Sequence, residues 1–294
     1  MSSDTITRIE TRYDDAFEQE LVRQPSARGL VLSQLSTLGV QRMSVAQLVS
    51  AGTLFGIEEG AVRVALGRMV RDSLLVSPER GHYEIGPKGR GLSDKARSWV
   101  NAEDRTREWS GGWVVVFTAN LGRRNKTLVR ARERALGLYG FVSAVPGLWV
   151  RPDNLTMSLS EIRSALITVG LDEAALTMVV SDLEAPEEFS MNDLWSAQGV
   201  EAKCRAALSA MANSRRLVQE MDDQQAARET LMVGEAVIRI INRDPQLPDE
   251  IVDNSLRRQV IAEMRDYQVL GTECMDVVFN LAGAPMIRHH YNNK

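Results

Sequence analysis

Three arginines at helical spacing are the residues of this chain best suited to a chemical task. Arg63, Arg68 and Arg71 lie in residues 57–90, a segment whose first half carries apolar residues at intervals of three and four. That periodicity predicts a helix with one buried stripe and with these arginines on or beside the opposite face. Guanidinium groups on an exposed helix can bind phosphate oxygens and the edges of guanine bases. The apolar residues of the stripe are Ala61, Val62, Ala65, Leu66, Met69 and Val70.

A hairpin and two further helices are predicted around this basic helix. Residues 74–85 have the composition of two short strands joined by a turn, and the turn carries Arg80. Earlier in the chain, Ser26 and Ser44 can each cap a helix. Three helices and a hairpin predict a winged helix-turn-helix over residues 26–91, with the basic helix in a DNA major groove and the hairpin against the DNA backbone. The predicted DNA contacts are Arg28, Arg63, Arg68, Arg71 and Arg80.

The charge of the chain restricts DNA binding to this region. The 294 residues carry a net charge of −4, which argues against a general nucleic-acid coat protein. Residues 26–90 contain eight basic and five acidic residues, a net charge of +3. Exposed arginines are often only a solvated face, and a winged module can also bind protein. The alternative hypothesis is therefore an interaction adaptor that does not bind DNA specifically.

The sequence favours a cytoplasmic protein that is not an enzyme. It contains no apolar run of about 18 residues and no signal peptide, so a membrane partner is not expected. Two cysteines without metal-type spacing and three histidines give no metal site. No GxSxG, HExxH, Walker A or GxGxxG motif is present, so neither catalytic residues nor a cofactor are predicted.

The middle of the chain predicts a second domain. A polar connector helix over residues 92–108 precedes the apolar strand WVVVFT, which begins at Trp113. Strand and helix patterns then alternate as βαββαβ through residue 185, which predicts a ferredoxin-like sandwich over residues 109–185. A metal-dependent nuclease of this fold would need carboxylates at the end of the first strand, and residues 117–120 supply none.

Two groups of residues in this domain could bind a small-molecule effector. Trp149, Arg151 and Asn154 offer an aromatic face, a partner for a carboxylate or phosphate, and an amide. A basic helix predicted from residue 123 adds Arg124 and Arg130 as further effector contacts. The same cluster of cations could instead form a solvated face or an additional phosphate contact. The cations of that helix are Arg123, Arg124, Lys126, Arg130, Arg132 and Arg134.

The two ends of the chain are predicted to be helical. Residues 1–25 form an acidic amphipathic extension, and residues 186–294 form an all-helical domain suited to dimerisation or effector sensing. Within that domain, the apolar run from Thr230 is broken at 244–248, and a last pair of helices is expected at 255–270 and 272–281. The whole chain is therefore predicted to be an α+β protein.

Four segments together resemble the PaaX family of bacterial transcriptional regulators. They are AVRVALGRMVRDSLL, WVVVFT, LYGFVSAVPGLWVRPDN and RDPQLP, and the resemblance covers nearly the whole chain after about the first 25 residues. It implies a winged DNA-binding domain, a Cas2-like ferredoxin fold and a helical C-terminal domain. It also implies a homodimeric repressor of aromatic-compound catabolism that binds a palindromic operator and is released by an effector such as an aryl-CoA thioester or aromatic acid. Arg63, Arg68 and Arg71 fall in its recognition-helix motif. Gly67 stands where a bulky residue is common in the family.

Overall fold

The computed structural model describes residues 13, 15–22, 24–37, 40–183, 194–195 and 197–284. The chain forms an α+β structure with two antiparallel sheets and divides into two units. The first unit comprises Met1–Val100, Lys203–Asn242 and Gln259–Lys294, and the second comprises Asn101–Ala202 and Arg243–Arg258. Most of the predicted N-terminal extension lies outside the described residues, which include α1 (Asp15–Glu18). No described helix has the length and apolar character needed to cross a bilayer.

Capped helices open the first unit. The helix α2 (Ala27–Leu35) begins where the Ser26 hydroxyl accepts a hydrogen bond from the Gly29 amide at 3.1 Å. Ser44 and Gln47 form a reciprocal capping box at the start of α3 (Val45–Thr53). Both predicted caps are confirmed. The predicted basic helix follows as α4 (Glu59–Arg71).

A small antiparallel sheet follows these helices. The predicted hairpin is present as β2 (Leu75–Val76) and β3 (His82–Ile85), and β1 (Met43–Ser44) adds a strand on the other side of β3. Behind the hairpin, a Cβ at Gly89 would lie 2.2 Å from the carbonyl oxygen of Leu74. Glycine is therefore required where the chain leaves the sheet and enters α5 (Arg90–Arg97).

C-terminal helices complete the core of the first unit. They are α8 (Ala197–Val218), α9 (Asp223–Arg243) and α10 (Ser255–Leu281), apart from the few terminal residues that belong to the second unit. Met232 and Phe279 pack in the same core as Leu30 and Leu66 of α2 and α4. The predicted helical domain over residues 186–294 is thus divided between the two units.

The last predicted pair of helices is a single continuous helix, α10. Gly271, which was expected to separate residues 255–270 from 272–281, lies inside it. A Cβ at Gly271 would lie 3.6 Å from the Cβ of Thr230 on α9. The glycine therefore marks a close helix-to-helix contact, and the expectation of a break was wrong.

The second unit contains the predicted alternation of strands and helices. Its four-stranded antiparallel sheet has the order β5-β6-β4-β7, and Val115 of β4 faces Val150 of β6 and Met178 of β7. The elements are β4 (Trp113–Phe117), α6 (Lys126–Leu138), β5 (Val142–Val145), β6 (Leu148–Pro152), α7 (Leu159–Thr168) and β7 (Leu176–Val180).

Apolar groups cover both faces of this sheet. On one face Val114 and Val116 pack with Leu136 of α6 and Ile162 of α7. On the other face Trp113, Val115 and Val150 pack with Trp195, Leu247 and Val252. The alternation of side chains along β4 explains this arrangement, because a strand buried on both faces needs apolar residues at every position.

Candidate nucleic-acid interface

The exposed face of α4 carries the three predicted arginines. Val62, Leu66 and Met69 are buried, which leaves one continuous outer stripe at intervals of three and four residues. Ala61 and Val70 are exposed, so the buried stripe is narrower than the sequence pattern predicted. The exposed stripe consists of Gly60, Arg63, Val64, Gly67, Arg68 and Arg71.

The guanidinium groups on this stripe are available for binding. In the described part of the chain, Arg68 and Arg71 have no ion pair or side-chain hydrogen bond. Arg63 forms an ion pair with Glu59 at 2.6 Å, and the two side chains are 56% and 57% exposed. A pair so exposed contributes about 0.3–0.5 kcal/mol, so Arg63 can exchange Glu59 for a ligand anion.

Small and apolar residues lie between these cations. A Cβ at Gly60 or Gly67 would meet nothing within 4 Å. At both positions the helix backbone is therefore open to solvent, with no side chain projecting over it. Val64 is 54% exposed. The stripe therefore combines three cations with one accessible apolar side chain and two positions at which a ligand can approach the backbone.

The tip of the β2–β3 hairpin carries Arg80, which is exposed and has no ion-pair partner among the described residues. Arg42, which was not predicted as a site residue, binds Glu84 at 2.7 Å and Glu79 at 3.2 Å. The hydrogen bond to Glu84 raises the pKa of the Arg42 guanidinium. Arg42 thus pairs with both acidic side chains of the hairpin, and neither of them is paired with Arg80.

Arg28 lies on another helix. It is exposed in the first turn of α2, which packs against α4 in the core of the first unit. Its spacing from Ser26 predicted a position near a helix start, and the structure agrees.

Arg151 and Asn154, which were predicted as effector contacts, are hydrogen-bonded to the protein itself. Arg151 is 2% exposed. Its guanidinium donates to the carbonyl oxygens of Tyr139, of Pro152 at 3.1 Å and of Pro245 at 3.5 Å, and to Oδ1 of Asn154 at 3.0 Å. Burial lowers the pKa of Arg151 to about 10.

These bonds join two sequence motifs that lie far apart in the chain. The Asn154 side chain donates to the carbonyl oxygen of Gln246 at 2.7 Å, so residues 147–154 dock on residues 243–248. Trp149 packs at the edge of the core between the sheet and its two helices. The geometry therefore gives Arg151 and Asn154 a structural role. Their side chains already hydrogen-bond to other groups of the protein and not to an effector.

The remaining predicted effector contacts lie apart from this junction. Arg124 and Arg130 are exposed, and Arg124 precedes the helix because Asn125 caps it and α6 begins at Lys126. Arg132 of the same basic cluster is buried and donates to the carbonyl oxygen of Gly122 at 3.4 Å. The cluster is thus partly structural. Within the described residues no group of three potential metal ligands occurs.

The chain resembles a solved structure over most of its length. It is similar to the uncharacterized protein Rv0674 from Mycobacterium tuberculosis, with 25% sequence identity and a TM-score of 0.62. The similarity covers 86% of this chain and 98% of the mycobacterial chain. No family model and no curated protein matches the chain. The likeness therefore bears on the fold, and the function has to be argued from the residues.

Proposed function

We propose that the protein is a DNA-binding transcriptional regulator. The observation that carries this proposal is the exposed stripe of α4, where Arg63, Arg68 and Arg71 lie on a helix anchored by a buried apolar face. In this proposal the first 91 residues include a winged helix-turn-helix in which α4 is the recognition helix and the β2–β3 hairpin is the wing. The four-stranded sheet of the second unit is a ferredoxin-like domain, because its strand order is that of a split βαβ fold.

The stripe of α4 suits a DNA major groove. Arginine binds O6 and N7 of guanine with two parallel hydrogen bonds, and an apolar side chain contacts the methyl group of thymine. Arg63, Arg68 and Arg71 supply the first kind of contact and Val64 supplies the second. Gly60 and Gly67 let the helix backbone approach the bases. Arg80 on the wing and Arg28 on α2 supply contacts to phosphate groups, which position the protein without reading sequence.

The resemblance to PaaX regulators extends this proposal to the oligomeric state, the operator, the regulated genes and the effector. The protein would act as a homodimer that binds a palindromic operator, with its two recognition helices one turn of DNA apart. It would repress an operon for the catabolism of an aromatic compound in the cytoplasm, and a small-molecule effector would release it. An aryl-CoA thioester or an aromatic acid is the effector class that the resemblance supports.

A gel-shift titration with the DNA upstream of the protein's own gene tests the proposal. The wild-type protein should bind that fragment more tightly than a scrambled fragment of the same length. Arg63→Ala and Arg68→Ala should each lower the specific affinity about 5–150-fold, the range expected when a side chain that contributes 1–3 kcal/mol of base recognition is removed.

Arg216→Ala is the matched control, because Arg216 is exposed on α8 of the same unit. It should bind the fragment like the wild type. Equal binding of specific and scrambled DNA by the wild type and by both α4 variants would favour the interaction adaptor. Circular dichroism of each variant shows whether its fold is intact.

A further inference from the structure

A cavity of about 490 Å³ lies inside the first unit. Its walls come from α2 and α5 on one side and from α9 and α10 on the other. Cavities that bind small molecules have volumes of about 300–1,000 Å³, and a dry cavity of about 150 Å³ holds one benzene. The space is therefore large enough for a molecule with two or three fused or linked rings.

Most of the wall is apolar. Val40, Trp99, Met264 and Phe279 are buried side chains that line the cavity, and Leu231 adds a partly buried one. Methionine and aromatic side chains adapt to flat apolar ligands. The wall thus favours a molecule whose body is an aromatic ring system.

Two polar side chains on the wall lack partners. Gln34 and Ser36 line the cavity and are only 5% and 8% exposed. In the described part of the chain, neither the amide of Gln34 nor the hydroxyl of Ser36 forms a side-chain hydrogen bond. Neither residue is among those of the described chain with a fully buried, unpaired polar atom, so the amide and the hydroxyl reach the open space of the cavity. A ligand with a hydrogen-bonding group would satisfy both.

Another amide on the wall, that of Asn242, is already paired. The Asn242 amide donates to the carbonyl oxygens of Lys95 and Ala96 at 3.1 and 3.2 Å, and its oxygen accepts from Ser98 at 2.8 Å. This contrast singles out Gln34 and Ser36, because the same wall supplies full partners to the amide of Asn242.

The charges on the wall balance. Arg239 and Glu235 both line the cavity, and they approach each other at 3.5 Å. Arg239 also donates to the carbonyl oxygen of Glu20 at 2.6 Å. A carboxylate or phosphate ligand would need an uncompensated cation, since burying an unpaired charge is costly. The wall therefore suits an uncharged ligand.

We propose that this cavity is a binding site for an uncharged aromatic molecule that carries one hydroxyl or amide group. The ring system fills the apolar space between α2 and the pair α9 and α10. The polar group hydrogen-bonds to Gln34 and Ser36, each of which can both donate and accept. This site differs in place and in charge from the effector contacts predicted around Arg151.

Calorimetric titration of the full chain with naphthol, naphthalene and naphthoate tests the proposal without any DNA. Naphthol should bind at one site per chain and more tightly than naphthalene or naphthoate. Gln34→Leu should lower the affinity for naphthol about tenfold and leave that for naphthalene unchanged, because it removes only the hydrogen-bonding partner. Ala96→Phe, which places a ring in the cavity, should abolish binding of both.

Stability provides a second measurement. Gln34→Leu breaks no side-chain hydrogen bond of the described chain, so the unliganded variant should unfold at the same temperature as the wild type or at a higher one. Gln259→Leu is the control, because Gln259 is exposed on α10 and the chemical change is identical. It should leave naphthol binding unchanged.

Three results would overturn the proposal. They are the absence of saturable naphthol binding, tighter binding of naphthoate than of naphthol, and naphthol binding that survives both Gln34→Leu and Ala96→Phe. Each concerns ligand binding alone, so the proposal for DNA binding is tested separately by the gel shift.

Discussion

Arginine has three different roles in this protein, and the surroundings of each side chain decide which one it has. Arg68 and Arg71 are exposed on α4, Arg63 is held only by an exposed ion pair, and Arg151 is buried among carbonyl oxygens. Helical spacing was enough to predict that Arg68 and Arg71 are exposed, because the face on which a helical residue lies depends on neighbours within two turns. The role of Arg151 depends on acceptors at Tyr139 and Pro245, which the sequence does not mark as neighbours.

Arg80 allows phosphate binding to be separated from base recognition. Arg80→Ala should weaken binding to specific and scrambled DNA by a similar factor, because the role proposed for Arg80 is to bind phosphate without reading a base. The slope of log affinity against log salt concentration should fall in magnitude by about 0.9, because the variant neutralises one phosphate fewer. Affinities measured at several salt concentrations provide the check. An unchanged slope, or a weakening confined to the specific fragment, would contradict this role.

At the scale of elements, loops and helix ends are fixed by contacts with distant parts of the chain. The guanidinium of Arg97 donates to four carbonyl oxygens at and beyond the end of α2, where the last carbonyl groups of a helix have no partner within it. In the second unit, β6 and the segment 243–248 are joined through Arg151 and Asn154. In each junction, side chains of one element donate to backbone carbonyl oxygens of another part of the chain.

Arg151→Met should therefore destabilise the second unit. The substitution keeps an unbranched apolar stem and leaves several buried carbonyl oxygens without a donor, so a decrease of roughly 3 kcal/mol or more in the free energy of unfolding is expected. Urea unfolding followed by circular dichroism measures this decrease. Arg130→Met on the exposed face of α6 is the control and should change stability by less than about 0.5 kcal/mol. Equal effects of the two substitutions would contradict the structural role of Arg151.

At the scale of the whole molecule, the N-terminal and C-terminal helices of the first unit share one core. Leu30 of α2 and Leu66 of α4 pack in the same cluster as Met232 of α9 and Phe279 of α10. The proposed ligand site lies between α2 and the pair α9 and α10, and α2 also supports α4. A ligand that moves α2 relative to the C-terminal helices would therefore change the position of the proposed recognition helix.

If both proposals hold, ligand and DNA binding are coupled. Saturating naphthol should change the affinity for the specific DNA fragment, by about 5–150-fold for a coupling energy of 1–3 kcal/mol. The DNA fragment should change the affinity for naphthol by the same factor, because coupling of two equilibria is reciprocal. Gel shifts with and without naphthol measure the first effect, and Gln34→Leu should reduce it at a fixed naphthol concentration. Identical DNA affinities with and without bound naphthol would show that the two sites are independent.

The sequence by itself determined the elements that rest on local contacts. The caps at Ser26 and Ser44, the amphipathic face of α4, the hairpin and the alternation of strands and helices in the second unit all depend on residues a few positions apart. The sequence pattern also placed Arg80 in the turn of the hairpin and the three arginines on the outer side of α4. Their role in binding DNA stays a prediction.

Only the tertiary structure decided which surfaces are covered. It divided the predicted C-terminal domain between two units, made α10 continuous through Gly271, buried Arg151 and placed Gln34 and Ser36 on the wall of a cavity. Each of these outcomes depends on contacts between segments that are tens to hundreds of residues apart. Periodicity along one segment predicts that a face will be buried, but the partner that buries it is chosen by the packing of the whole unit.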